Sequence, residues 1–227
     1  MNRRTFLAST LGAASVFILP RIIRQGSRKQ SSDKRSPLRV IVVGAGVAGL
    51  AAAQELRSHG AIVRIVEASN VSGGRAAGLA DLGMASASGI EFNTAVRRVS
   101  QTRTLVTLST THGELAADAA IVTVPPSLLA TGQLTVDGMR VAQREAAFRL
   151  SAVLCPWSST GVLRPSTREE RADARRFSAP IGRVFFAGDA TDPKGLWTAD
   201  GARRSAASAA SQLVETIGIT TNPRGQA

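Results

Sequence analysis

Residues 40–67 read VIVVGAGVAGLAAAQELRSHGAIVRIVE, and the fold is decided in this stretch. Val40 to Val43 are apolar and mostly β-branched, the make-up of a buried parallel strand. Gly44, Gly46 and Gly49 follow at G-x-G-x-x-G spacing, and Leu50 to Ser58 is strongly helix-forming, so the glycines sit in a turn from strand end to helix start. At such a turn Gly44 makes the tight bend, Gly46 lets a pyrophosphate approach the backbone, and Gly49 lets the helix lie close to the strand. The first helical turn, with Val47 and Ala48, offers N–H groups and the positive end of the helix dipole to phosphate oxygens. His59-Gly60 ends the helix and Ile62 to Val66 gives a second strand. Glu67 closes that strand 18 residues after Gly49, with Ala68 beside it, where a carboxylate accepts hydrogen bonds from adenosine ribose hydroxyls. An acid here argues against a ribose 2′-phosphate, and so against NADP.

The next element narrows the choice of dinucleotide. Ser72 to Arg75 reads SGGR, an element that nicotinamide dehydrogenases do not need. With it, residues 40–76 resemble the opening of the flavin-containing amine oxidase superfamily. The resemblance implies FAD, with Gly74 and a bidentate Arg75 guanidinium along its pyrophosphate. Asp81 to Ser86, DLGMAS, resembles the family's D-x-G-x-x stretch beside the flavin. Thr104 to Ser109 alternates, residues 111–114 form a turn, and Ala120 to Val124 is a buried strand ended by Pro125-Pro126. This reads as a β-meander returning to the parallel sheet, and by resemblance Val96 bonds the adenine through its backbone. Residues 182–213, GRVFFAGDATDPKGLWTADGARRSAASAASQL, resemble the family's closing segment: a strand at Val184 to Phe186, a Gly188-Asp189 turn and an Ala-rich helix from Ala199 to Leu213. Here the resemblance implies that Asp189 bonds the ribityl chain and that the helix N-terminus at Thr198 and Ala199 faces the flavin. Gly201, Ala202, Ser205 and Ala206 would permit its close approach. The expected fold is an α/β, Rossmann-like FAD/NAD(P)-binding domain of the glutathione-reductase-like type. It has a parallel sheet with helices on one face and a three-stranded meander on the other, its substrate domain reduced or absent.

A formal charge of +12 over 227 residues suggests nucleic acid until it is divided along the chain. Residues 1–39 carry nine Lys or Arg against Asp33, and residues 40–227 nineteen against fifteen acids, so most of the excess lies in a tail. No basic stripe interleaved with aromatics remains, and nucleic acid is not an expected partner. The tail begins MNRRTFLA, a paired Arg3-Arg4 before a 15-residue apolar run from Thr5 to Leu19, shorter than the roughly 20 residues of a membrane span. It resembles a bacterial twin-arginine export signal. Export to the periplasm is therefore expected. No A-x-A cleavage site follows, so retention as an N-terminal anchor on the inner membrane is also expected. Residues 1–24 are read as this signal, 25–37 as a polar linker, 38–216 as the FAD-binding domain and 217–227 as a tail. Cys155 is the single cysteine, which rules out an intramolecular disulfide and fits a small core residue.

Val141 to Arg149 is an expected amphipathic helix, and Thr167 to Arg176 an expected solvated helix face of mixed charge. Longer relatives insert substrate segments where this chain has almost none. Many also place a Lys near the flavin, whereas Lys29, Lys34 and Lys194 all lie outside the matching segment, and Tyr is absent. No catalytic residue is assigned from the sequence and no metal is expected. Two function classes follow. One is an oxidoreductase taking hydride from an amine or related C–H donor. The other is a non-catalytic flavin-binding module, a subunit or a shortened remnant of a longer enzyme, that needs a partner for its substrate site. The isolated chain is expected to turn over amines slowly and to gain activity only when a partner or second copy covers the region of Ser86, Trp157 and Trp197.

Overall fold

The structure is a computed structural model that describes residues 36–76, 89–152 and 165–218. The expected signal, most of the linker, the DLGMAS stretch, Cys155, Trp157 and the expected tail beyond Gly218 lie outside the described residues. The strand read at Val40 becomes β1 (Arg39–Val43), which runs into α1 (Val47–Ser58) and returns as β2 (Ile62–Val66) in parallel register with β1. A two-residue strand β3 (Ile90–Glu91) edges β2. The meander is β4 (Val96–Gln101), β5 (Val106–Thr110) and β6 (Gly113–Ala117), paired antiparallel in sequence. β7 (Ala119–Val122) then rejoins the main sheet on the far side of β1.

Past β7, Pro126 at the first helical position, where its missing N–H costs nothing, opens the short α2 (Pro126–Ala130). Then come β8 (Thr135–Val136), α3 (Val141–Ala152), α4 (Arg168–Phe177), β9 (Val184–Phe186) and α5 (Ala199–Ile217). The main sheet has the order β3-β2-β1-β7-β9, all parallel, with β1 at its centre. β8 pairs with β4 in parallel, making the second sheet four-stranded where three strands were expected. Elements of two residues carry no period, which is why β3 and β8 escape a reading of the sequence.

Alternation along the central strands divides the interior in two. Val40, Val42, Ile65, Ile121 and Phe185 face a core shared with α1 and α5, where Ala52, Ala53, Ala206, Ala209 and Ala210 let the two helices lie close on the sheet. Ile41, Val43, Val122, Val184 and Phe186 face the other core, closed by Val99, Val106, Leu108 and Leu134 beneath the second sheet and by α2 to α4. Both faces of β1 beyond Arg39, of β7 and of β9 are buried, as the covered part of an all-parallel sheet requires, whereas β2 exposes Ile62 and Arg64.

The α4 surface departs from expectation. Its N-terminus carries a full capping box, Thr167 Oγ1 accepting from the Glu170 N–H while the Glu170 carboxylate accepts from the Thr167 N–H. Asp173, expected on a solvated face, is only 4% exposed, because it shares the inner face of α4 with Ala174 and Phe177. Its carboxylate accepts from Arg149 Nε and Nη2 at 2.7 and 2.9 Å, tying α4 to α3, and from Arg176 Nη1 at 2.9 Å. The Arg149 hydrogen bonds, aided by Arg176, hold the Asp173 carboxyl below its ordinary range against the opposing effect of burial. A lowered carboxyl pKa contributes stability above the unfolded value and loses it as pH falls through the folded one. Asp173→Asn is therefore expected to lower Tm at neutral pH by about 3 to 6 °C, or about 1 to 2 kcal/mol with half-exposed guanidiniums. Melting curves of variant and wild type should converge only once the pH has fallen past the ordinary Asp range and through the lowered folded value. A constant gap down to acid pH would show that Asp173 acts through packing alone.

Candidate cofactor site

The carboxyl ends of β1, β2, β7 and β9 open on a cleft of about 600 Å³. It lies where the chain leaves β1 to opposite sides, the switch point at which open α/β sheets bind ligands. Every described residue that the sequence nominates for the cofactor lines it except Gly49, Gly201, Ser205 and Ala206.

The three glycines of the turn divide their work as expected. Gly44 has φ +103°, a left-handed conformation that disfavours a side chain. Gly49 packs beneath the turn, where a Cβ would collide with the Gly44 carbonyl oxygen and lie 2.9 Å from Thr123 Oγ1. At Gly46 a Cβ would meet nothing within 4 Å, so the backbone there is bare to the cleft. Gly46 is also the N-cap of α1, with no side-chain cap and no acid in the first turn, so the positive end at Val47 and Ala48 is left for a ligand.

Glu67 already holds the turn. Its Oε2 accepts from the Ala45 N–H at 2.7 Å, and its Oε1 from Ser69 N–H and Oγ, both at 2.8 Å. A carboxylate has about four acceptor positions, so one remains for a ribose hydroxyl. The SGGR loop docks on the same turn: Gly73 N–H donates to the Ala45 carbonyl at 2.8 Å and Gly73 pairs with Gly46. Gly73 and Gly74 have φ of +98° and +57°, the left-handed region that disfavours a side chain, which accounts for the glycine pair. Val96 begins β4 at the cleft, where a bulge between Val96 and Arg98 interrupts the ladder.

Arg75 and Asp189 were assigned separate tasks by resemblance, but the structure joins them. Arg75 Nη2 donates to Asp189 Oδ1 at 2.6 Å, linking the β2 side of the sheet to the β9 side. The Asp189 side chain is 7% exposed, and its Oδ2 is buried without a hydrogen-bond partner among the described residues. A buried carboxylate oxygen without a donor is costly, and a ligand hydroxyl would satisfy it. Thr198 caps α5, accepting from the Gly201 N–H and donating to the Gly195 carbonyl, both at 2.8 Å.

The small residues of α5 turn out to differ in task. Ala202 lines the cleft, but a Cβ on Gly201 would strike the Gly195 carbonyl oxygen. Ser205 Oγ accepts from the Gly188 N–H at 2.9 Å, and Ala206 is buried against α1. Only Ala202 of the four therefore lines the cleft; the others seat the Gly188–Thr198 loop and the helix. Trp197, expected under a partner, is 7% exposed in the core, with φ +67° and its indole N–H without a partner among the described residues.

Thr123 escaped the sequence reading. Its Oγ1 lies 2.8 Å from the Val43 carbonyl, to which it donates, and 3.3 Å from that of Gly44, fixing the turn from the neighbouring strand. Val124, Pro125, Leu128 and Leu134 give the cleft an apolar wall. Their position after a β-strand adjacent to β1 is the signal that could have found them. Among the described residues no cluster of His, Cys, Asp or Glu could hold a metal ion. The bare Gly46, the uncapped α1 and the unsatisfied Asp189 oxygen fit a dinucleotide carrying a hydroxylated chain, as FAD does.

The comparisons with known proteins agree with this geometry. Residues 42–104 match the NAD(P)-binding Rossmann-like domain family. Residues 79–155 and 148–214 match the family described as flavin containing amine oxidoreductase, together more than half of the chain. No curated protein matches the sequence. Among solved structures, a wild-type putrescine oxidase bound to putrescine superposes with a TM-score of 0.60 at 11% identity, covering 79% of this chain and 99% of that one. A double mutant of putrescine oxidase gives 0.58 at 11% identity, covering 79% and 100%. At such identity the likeness shows the fold. The cleft and the family match lead to one conclusion: the chain belongs to the flavin containing amine oxidoreductase family, as an FAD-dependent oxidoreductase.

Proposed function

We propose that the chain oxidises an amine or a related C–H donor, and that it does so slowly unless a partner or second copy covers the flavin. The observation that carries the cofactor half of this reading is the Asp189 carboxylate in the wall of a cleft bordered by the N-termini of α1 and α5, its buried Oδ2 without a partner among the described residues. Gly46 and the first turn of α1 would hold the pyrophosphate, Glu67 the adenosine ribose, and Asp189 a hydroxyl of the ribityl chain. FAD, when bound, supplies the hydride-accepting chemistry. The first turn of α5, at Thr198 and Ala199, would offer a positive helix end to the reduced ring, and Val124, Leu128 and Leu134 would form an apolar wall against water.

The need for a partner is supported by the sequence of the cleft wall. Among the described residues no Lys or Tyr lines it, so it supplies neither the Lys near the flavin nor the aromatic cage of the longer relatives. Positioning of this kind can be worth several kcal/mol in the barrier. The test is anaerobic stopped-flow reduction of the FAD-loaded chain by a panel of amines, dilute and then concentrated. Slow bleaching that accelerates with protein concentration or with added partner is the expected result. Rapid bleaching in the dilute monomer would show a complete enzyme. No bleaching under any condition would favour a non-catalytic flavin-binding module.

A further inference from the structure

We propose that the outer face of α3 is a docking surface for an anionic lipid bilayer. Val141 and Phe148 are 75% and 63% exposed, the highest values among the exposed large hydrophobics of the described residues. They lie on one helix seven residues apart, which is two turns, or about 10 Å along one side. Exposed Ala152 extends the same line, while Gln143, Ala146, Ala147 and Leu150 face the core. Single exposed apolar side chains are ordinary, but two aligned on one helix are not scattered.

The charges around the line give the occupant. Arg140 and Arg144 occupy one flank, are exposed, and their guanidiniums have no hydrogen-bond or ion-pair partner among the described residues. Glu145 on the other flank is offset by Arg149 at 3.8 Å. The face is therefore apolar along its crest and net positive at its border, complementary to a lipid surface carrying anionic headgroups.

A protein partner fits less well. A stable interface needs about 800 Å² on each side with an apolar centre, and two separated side chains do not supply one. A bilayer interface needs only a few apolar side chains immersed among headgroups and guanidiniums at phosphate level. No helix among the described residues is long and apolar enough to cross a membrane, so α3 would lie flat on it, its inner face still packed on the domain.

The test is co-sedimentation of the full, FAD-loaded chain with vesicles of phosphatidylcholine alone or with about 30% phosphatidylglycerol. Binding should favour the anionic vesicles and weaken with salt, and because residues 1–24 are themselves expected at a membrane, the share of α3 is the part that its own substitutions remove. Arg140→Gln with Arg144→Gln should reduce it about fivefold per guanidinium at low salt. Val141→Asp with Phe148→Asp should reduce it at least about tenfold while flavin content and Tm stay unchanged, because neither side chain touches the cleft. Equal binding to neutral and anionic vesicles, or binding indifferent to all four substitutions, would overturn the proposal. So would a dimer that Phe148→Asp converts to monomer without altering vesicle binding, since the face would then join two copies of the chain.

Discussion

Gly49→Ala is expected to lower Tm by about 6 to 12 °C or more, and Gly46→Val by no more than about 4 °C, although both glycines belong to one motif. At Gly49 the new methyl group would run into the Gly44 carbonyl oxygen, with Thr123 Oγ1 2.9 Å away, so α1 must lift from β1 or the turn must open. Overpacking commonly costs about 1 to 3 kcal/mol, and collision with backbone, which cannot change rotamer, belongs at the top of that range or above it. At Gly46 the side chain would enter open cleft, and the backbone, at φ −77°, is not strained by it. The cost to the apoprotein is then the weaker N-cap alone, about 1 kcal/mol. FAD should be lost from both, for different reasons: in Gly49→Ala the cradle is deformed, in Gly46→Val it is filled. Thermal melts of the apoproteins with flavin absorbance per chain separate the cases. Equal loss of stability would show that the two glycines are not divided between packing and access.

The second large effect concerns the Arg75–Asp189 pair. Asp189→Ala is expected to weaken FAD binding by about 30- to 1,000-fold, or roughly 2 to 4 kcal/mol, since it removes a buried acceptor in place before the ligand arrives. Arg75→Ala should cost somewhat less, its side chain being 45% exposed. The double variant should fall short of the sum by about 1 kcal/mol or more, because each side chain orients the other. Titration of the wild type and the three variants as apoproteins with FAD, followed by flavin fluorescence, measures the cycle. Strict additivity would mean that the bridge is incidental. Unchanged flavin content in both single variants, with Gly46→Val still abolishing it, would leave only a generic dinucleotide turn.

What the sequence disclosed follows from how each element is coded. The β1-α1-β2 unit was legible because its glycines, its periods and Glu67 each restrict the backbone independently. The closing strand and α5 were legible by motif, but which way each small residue of α5 faces was not. Gly201, Ala202, Ser205 and Ala206 look alike in sequence, and only the path of the Gly188–Thr198 loop distinguishes the one that lines the cleft. Asp173 was misjudged for a related reason. A helix rich in both charges hides which acid faces inward, and Arg149 from another helix settles it. Thr123 carries no sign of its task, since a threonine before Val-Pro-Pro is ordinary until β7 is known to lie beside β1.

The order in which the cleft is assembled sets when it can be loaded. Its lining begins at Val43 and ends at Ala202, and Asp189, which meets Arg75 114 positions away, comes from the strand and loop just before α5. During synthesis the phosphate turn and Glu67 emerge first, yet the wall supplied by Asp189, Thr198 and Ala199 reaches them only after β9 and α5 have left the ribosome. Cofactor capture thus belongs to the finished domain, and a nascent chain stalled before Gly188 should carry no flavin even though its dinucleotide motif is complete.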